Sequence, residues 1–371
     1  MQTDLAQPDT FQGSMSWKAD TMMGLQAGAY LTDQIDATVQ FVIKDRVNQT
    51  LNENLAWAFL RWKPNQDVTL RTGRLGFDIY MLSDYRNVSF AYLWERPPVE
   101  FYGPLLFQNF DGIDGSWKTH IADGFLTAKV FAGTTTKSIP PPFANSGPSL
   151  LCLGPITGGK LTFETESLRL SSGFAYMSFD KNFAITSSLS SALSDPNLQT
   201  AWNNANLYAD QVNQLGKSIT FFALGASYDA NDWVVQSELG YLHSNWAGFR
   251  DLPSGYFSLG RHFANLTPYV LFSMARSAGS ASHVVPPEIQ GDAINQLYTN
   301  TQLFMRGSPV NQKTVSLGVR WDVLANMAVK VQWDYTQIAS NADSLWINAN
   351  NLSSVPATNV NLLSASINWA F

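Results

Sequence analysis

The sequence predicts an all-β fold: a transmembrane antiparallel β-barrel of about 16 strands with one long connection folded into the lumen. Three observations carry this expectation. Apolar and polar residues alternate with period two along many short segments, most plainly at the carboxyl end. There Leu363, Ala365, Ile367, Trp369 and Phe371 are separated by Ser364, Ser366, Asn368 and Ala370. Charged residues are only 14% of the chain, against roughly 25% in soluble domains, while aromatic residues reach 13%. Finally, the segments are joined alternately by short turns and mostly longer connections, a sorting that unrelated hairpins would not produce.

Residues 1–12 form a polar lead, and residues 13–371 read as one barrel because no change of composition marks a linker. The first strand candidates are Gly13 to Asp20 and Met22 to Leu31, with almost nothing between them. Ala37 to Lys44 follows the turn at Asp33 to Asp36, with Val39, Phe41 and Ile43 on one face. Leu55 to Lys63 and Val68 to Leu75 flank Pro64-Asn65-Gln66-Asp67, a sequence with hairpin-turn chemistry. The stretch from Gly76 to Asp111 does not alternate. It carries seven Tyr, Phe and Trp residues among Tyr80 to Tyr102, mixed with charges and prolines, and so predicts a packed functional loop rather than disorder.

Gly112 to Ile121 and Phe125 to Ala132 form the next hairpin. Gly133 to Gly159 reads as a loop, Lys160 to Leu168 and Gly173 to Lys181 as strands joined at Arg169 to Ser172. Asn182 to Gly216 reads as a long extracellular loop in which Ser194-Asp195-Pro196 supplies the cap and first-turn proline of one helix. The remaining strands are Ser218 to Tyr228, Trp233 to His243, Tyr256 to Phe263, Pro268 to Arg276, Thr314 to Trp321, Ala328 to Gln337 and the terminal segment. Both chain ends are then expected on the short-turn side.

Other classes find little support. No run of about 18 apolar residues suggests a membrane helix, and the amino terminus lacks a basic-then-apolar signal pattern, so an exported protein is expected to have lost its signal. A net charge of -6 argues against nucleic acid, and the lone Cys152 permits neither an internal disulfide nor an all-cysteine metal site. His120, His243, His262 and His283 are scattered, and the serines from Ser187 to Ser194 have no base in view, so no metal, cofactor or enzymatic activity is expected.

Closure follows from lipid: every backbone polar group at membrane depth needs a partner within the wall, and only a closed barrel leaves no edge. The same alternation assigns faces. Val329, Val331, Trp333 and Tyr335 are expected toward lipid. Lys330, Asp334, Arg320, Glu164 and Glu166 are expected on the lumen wall, with Glu238 also inward on a solvated surface. A lumen of this polarity is expected to hold water.

The connectivity, the terminal Asn368-Trp369-Ala370-Phe371 and the long third connection resemble the general porins of Gram-negative outer membranes. Local stretches, Trp57 to Trp62, Leu70 to Leu75, Tyr80 to Arg86 and Glu95 to Gly103, also resemble a group of largely uncharacterised porin-like proteins. The resemblance implies a cell outer membrane location, passive diffusion of small hydrophilic solutes and ions, and a homotrimer surrounded by lipid and lipopolysaccharide. It also implies that Phe371 is the assembly signal read by the barrel-assembly machinery. A solute-selective channel, or a barrel serving as sheath or surface receptor for a partner protein, are the alternatives. In the general porins the inserted loop opposes acidic residues to basic ones on the wall. The candidates here are Asp78, Asp84, Glu95 and Glu100 on the loop, Arg71 and Lys129 on the wall, and Arg61 and Arg74 near the loop root. Arg86 and Arg96 either join the pore or tie the loop down through ion pairs.

Overall fold

Period-two alternation yields strands with one apolar and one polar face, and fifteen such strands form a single antiparallel sheet in the computed structural model. The structure describes residues 15–371 apart from 19, 47, 140–148, 341, 343–344 and 346–356. In chain order the strands are β1 (Met22–Tyr30), β2 (Ile35–Lys44), β3 (Leu55–Trp62), β4 (Val68–Gly76), β5 (Asn109–Ile121), β6 (Gly124–Ile139), β7 (Ser149–Glu164) and β8 (Leu168–Phe179). They continue as β9 (Ser218–Ala230), β10 (Trp233–Ser244), β11 (Leu252–Arg261), β12 (Leu266–Arg276), β13 (Asn311–Leu324), β14 (Met327–Ile338) and β15 (Thr358–Trp369). Every strand pairs with its sequence neighbours, so the sheet is an all-next-neighbour meander.

Seven connections of two to five residues lie at one end of the sheet and the longer ones at the other. The β9–β10 turn shows why the short ones form. Asn231 and Asp232 both take left-handed backbone (φ 52° and 67°), which Asn and Asp tolerate and whose twist suits a two-residue hairpin.

The outward faces make an apolar belt. On β13 and β15, Val315, Leu317, Leu363 and Ile367 are exposed, while their neighbours Thr314, Ser316 and Asn368 point inward and are buried. Aromatic residues gather where the belt meets the short-turn end: Trp62, Trp233, Phe263, Trp321, Trp369 and Phe371 are all exposed there. An apolar outer band ending in a ring of Trp and Phe is the surface of a transmembrane barrel.

Four expectations need correction. The expected first strand is not one: Met15 to Lys18 and Asp20 carry no strand, and Gly13, Ser14 and Ala19 lie outside the described residues. β1 therefore starts at the long-loop end and β15 ends at the short-turn end. β1 and β15 are the sheet edges and do not pair with each other among the described residues. The Gly133 to Gly159 loop is largely strand, since β6 and β7 run on past the membrane belt to Ile139 and from Ser149. Its Pro140-Pro141-Pro142 lies outside the described residues. Finally, the β7–β8 turn is Thr165 to Ser167, starting four residues before the predicted Arg169, because Thr165 Oγ1 accepts hydrogen bonds from the Ser167 and Leu168 amides (3.4 and 3.0 Å).

The long-loop end carries helices. Two one-turn helices, α1 (Leu51–Asn54) and α2 (Val99–Tyr102), stand in the 45–54 and 77–108 connections; the 180–217 connection holds α3 (Ala184–Leu193), α4 (Pro196–Gln199) and α5 (Ala205–Val212), and the 277–310 connection holds α6 (Asp292–Met305). Asp195 caps α4 as its sequence predicts, accepting the Asn197 amide, but the longer helices lie on either side. Leu193, Trp202, Tyr208, Val212, Val284 and Met305 join these two connections in a separate apolar core. Nearby, Asp251 accepts from Tyr241 Oη (2.6 Å) and the Ser244 amide (3.2 Å) and meets His243 Nδ1 at 2.8 Å. Partial burial pushes its carboxyl up, but these hydrogen bonds outweigh burial and hold it below the ordinary carboxylate range.

Candidate functional site: the lumen and its inserted loop

The β4–β5 connection, residues 77–108, enters the lumen as expected. Its neck is closed by the Gly76–Asn109 pair and by the Phe77 amide donating to Gln108 O (2.9 Å). From there it fills much more of the barrel than a local constriction would. Ser89 bonds Asn368 near the short-turn end of β15, while Glu100 accepts from Gln312 Nε2 (2.6 Å) near the long-loop end of β13. The loop thus runs nearly the full height of the wall.

Hydrophobic burial drives this insertion. Phe77, Ile79, Tyr80, Leu82, Trp94 and Phe101 are each at most 3% exposed, packed on inward apolar residues of the wall. Water is the alternative environment inside a lumen, so burying each such side chain contributes about 1.5–3 kcal/mol, as in a soluble core. Lipid-facing residues gain nothing comparable from packing on one another. The wall makes room with glycine. A Cβ at Gly173, Gly225, Gly240 or Gly260, on four successive strands, would stand 2.9 Å or less from Ile79, Met81, Phe101 or Leu93 respectively. These apolar inward faces correct the expectation of a wholly watery lumen.

Charged residues then fix the register. Asp78 lies between Lys129 and Lys160, the latter at 2.7 Å. Glu238 is buried rather than solvated: it accepts from the Met81 amide (2.9 Å), Tyr102 Oη and Tyr256 Oη (2.7 Å). Lys330 donates to the carbonyls of Tyr92 (2.7 Å) and Trp94 (2.6 Å), and Arg320 to those of Phe90 (2.7 Å) and Tyr92 (3.0 Å). Glu95 accepts from Ser366, and its amide donates to Gln332 (3.0 Å). Arg96 bonds Asp334 on β14 (2.6 Å), Ser364 on β15 and Asp20 just before β1 (2.9 Å). One guanidinium therefore links β14 and the edge strand β15 to the segment that leads into β1. Arg96 thus makes the ion pairs that one of its two expected roles requires.

Other candidates differ in exposure. Residues 78–102 make no hydrogen bond to β1–β5 among the described residues, and the inward charges of that side pair within the wall, with Asp36 and Asp114 buried and Arg61 and Arg71 partly exposed. Arg61 pairs with Asp36 (2.9 Å) and its side chain is 33% exposed. Arg71 grips Asp114 through two nitrogens, Nε at 2.9 Å, and lies over the Phe59 ring. Asp84, exposed on the loop, is within electrostatic reach of both Arg71 and Lys129. Arg74 is fixed by Asp111 (2.8 Å) and by the Asn52 carbonyl at the rim. Arg86 donates to Tyr102 O (2.9 Å) and stacks on that ring, with no carboxylate partner among the described residues. Glu164 faces Arg169 at 3.9 Å near the short-turn end, whereas Glu166 lies on the exposed turn and not on the wall.

Several residues of this constellation were not singled out from sequence. Asp36 and Asp114 alternate inward with the arginines they pair, and Lys160 with Glu164, so period-two phase could have found them. Glu53 and Lys137, an ion pair at 3.4 Å, could not be found that way because both stand in stretches that read as loop.

Fold and lumen together define an outer-membrane-type β-barrel of porin architecture, with a polar-rimmed lumen occupied by its third long-side connection. Similar solved structures agree. OmpF of Salmonella typhi, solved with daunomycin, aligns over 96% of this chain and 93% of its own at a TM-score of 0.53 and 11% identity. The anion-selective porin of Comamonas acidovorans aligns over 96% and 91% at 0.51 and 13%, and outer-membrane expressed OmpT of Vibrio cholerae over 94% and 89% at 0.50 and 11%. At such identities the likeness is one of fold. No family model matches the sequence, and no curated protein matches it.

Proposed function

We propose that the chain is an outer-membrane channel, not an enzyme, that lets small hydrophilic solutes and ions diffuse passively through the crescent between the inserted loop and the β1–β5 wall. One observation carries this reading: the loop spends its hydrogen bonds on β6–β15 and the segment before β1, and the inward charges of β2–β5 pair within the wall with the Arg61 and Arg71 side chains partly exposed. Arg71 and Lys129 on the wall, within electrostatic reach of Asp84 on the loop, supply the transverse field; Asp78, Glu95, Arg96 and Glu100 hold the loop in place. A lumen filled in this way leaves no room for a threaded partner chain, which speaks against the sheath alternative. The homotrimer is retained by analogy with the fold. Liposome swelling tests the proposal: vesicles carrying folded protein swell in small sugars and progressively less in larger ones. Swelling no faster than in empty vesicles would end it.

A further inference from the structure

The outer face of the barrel carries few cations. Arg276 and Lys313 stand outward at the long-loop ends of β12 and β13, and Arg261, the last residue of β11, is the only outward strand cation at the short-turn end among the described residues. Period two fixes its direction: Gly260 faces the loop, where a Cβ would meet Leu93 at 2.9 Å, so Arg261 points away from the lumen. It lies opposite Trp233 in the β10–β11 ladder, and its guanidinium carbon stands 5.1 Å from the centroids of both the Trp233 and the Phe263 rings. Both rings are exposed and belong to the aromatic girdle that ends the apolar belt. Arginines that face the lumen near this end have carboxylates: Arg61 meets Asp36 (2.9 Å), Arg169 meets Glu164 (3.9 Å) and Arg320 meets Asp322 (2.8 Å). Arg261 has none, and its guanidinium makes no hydrogen bond among the described residues. A cation held against ring faces keeps its N–H donors free. At the lipid–water boundary the acceptor in reach is a headgroup phosphate, which a guanidinium takes through paired hydrogen bonds while the rings pack on the upper acyl chain. A headgroup without an ammonium of its own leaves the phosphate charge to the arginine, so the match is to an anionic rather than a zwitterionic lipid.

From this arrangement we infer that Arg261, Trp233 and Phe263 form a binding site for one anionic phospholipid of the leaflet at the short-turn end, with Arg261 as the phosphate-binding residue. The site takes no part in permeation, so it stands or falls apart from the channel reading. Native mass spectrometry of detergent-folded protein, titrated with phosphatidylglycerol, phosphatidylcholine or diacylglycerol, tests it on the first lipid bound. Phosphatidylglycerol is expected to bind at about fivefold lower concentration than phosphatidylcholine, and diacylglycerol more weakly than either. Arg261→Gln removes the preference, Arg261→Lys keeps part of it, and Arg276→Gln, at the opposite end of the wall, leaves it unchanged. Heat-modifiable migration on gels shows that each variant is folded. Equal binding of the two phospholipids by the parent, or a preference that survives Arg261→Gln, overturns the site. An equal loss in Arg276→Gln would trace the preference to net charge and overturn it too. Displacement of the lipid by inorganic phosphate would assign the arginine to free phosphate and so overturn the lipid site.

Discussion

At the scale of single residues, the lumen sorts its charges into those that hold and those that face water. Arg96 belongs to the first kind, and removing it would leave Asp334, 4% exposed, buried without its partner. Breaking a buried pair in this way costs about 3–5 kcal/mol. Arg96→Ala is therefore expected to lower the denaturant midpoint of detergent-folded protein and to loosen the seam, whereas Arg169→Ala, facing the exposed Glu164 at 3.9 Å, should shift it little. Equal shifts would contradict this division of roles. The distinction was only half legible in the sequence. Period two told which of Lys330, Gln332 and Asp334 turn inward, but not that a loop from over two hundred residues away would cover them.

At the scale of elements, the inserted loop and its sockets depend on each other. Of the four glycine sockets, Gly173 is the one whose nearest opposing atom is backbone, the Ile79 carbonyl at 2.4 Å, so no side-chain movement can relieve it. Gly173→Val should keep the strand, since β-branched residues suit sheets, yet push the loop off the wall. The variant is expected to raise single-channel conductance by about twofold or more by widening the lumen. A conductance unchanged from the parent would mean that the loop does not set the pore. The terminal strand makes a separate prediction. Deleting Phe371 should reduce insertion in cells far more than it changes the conductance of protein refolded in detergent, and equal loss in both would reduce the residue to a packing role.

The same scale explains where sequence reading failed. In β6 and β7 beyond the membrane belt, Leu151, Leu153 and Ile156 point inward against the loop while the outer face carries Leu150. With both faces apolar, the period-two contrast vanishes, and the glycines and prolines around them read as a loop. Where inward faces meet water or polar loop groups, as in β13 to β15, alternation is clean and the elements were found with small boundary errors. The loop itself announced its place by refusing to alternate while staying aromatic.

For the molecule as a whole, two solvents shape one chain. Lipid outside demands a wall with every backbone group paired, and water inside drives an aromatic loop into a socketed half of the lumen. The other half, along β2–β5, pairs its inward charges within the wall and is the proposed route. The helical core formed by α3, α5 and α6 lies at the long-loop end, beyond the apolar belt. Planar-bilayer recording of the folded protein tests the central claim most directly. The account predicts discrete conductance steps from the parent chain and larger steps from Gly173→Val. Folded protein that inserts and gives no steps, with the loop seated or displaced, would contradict it.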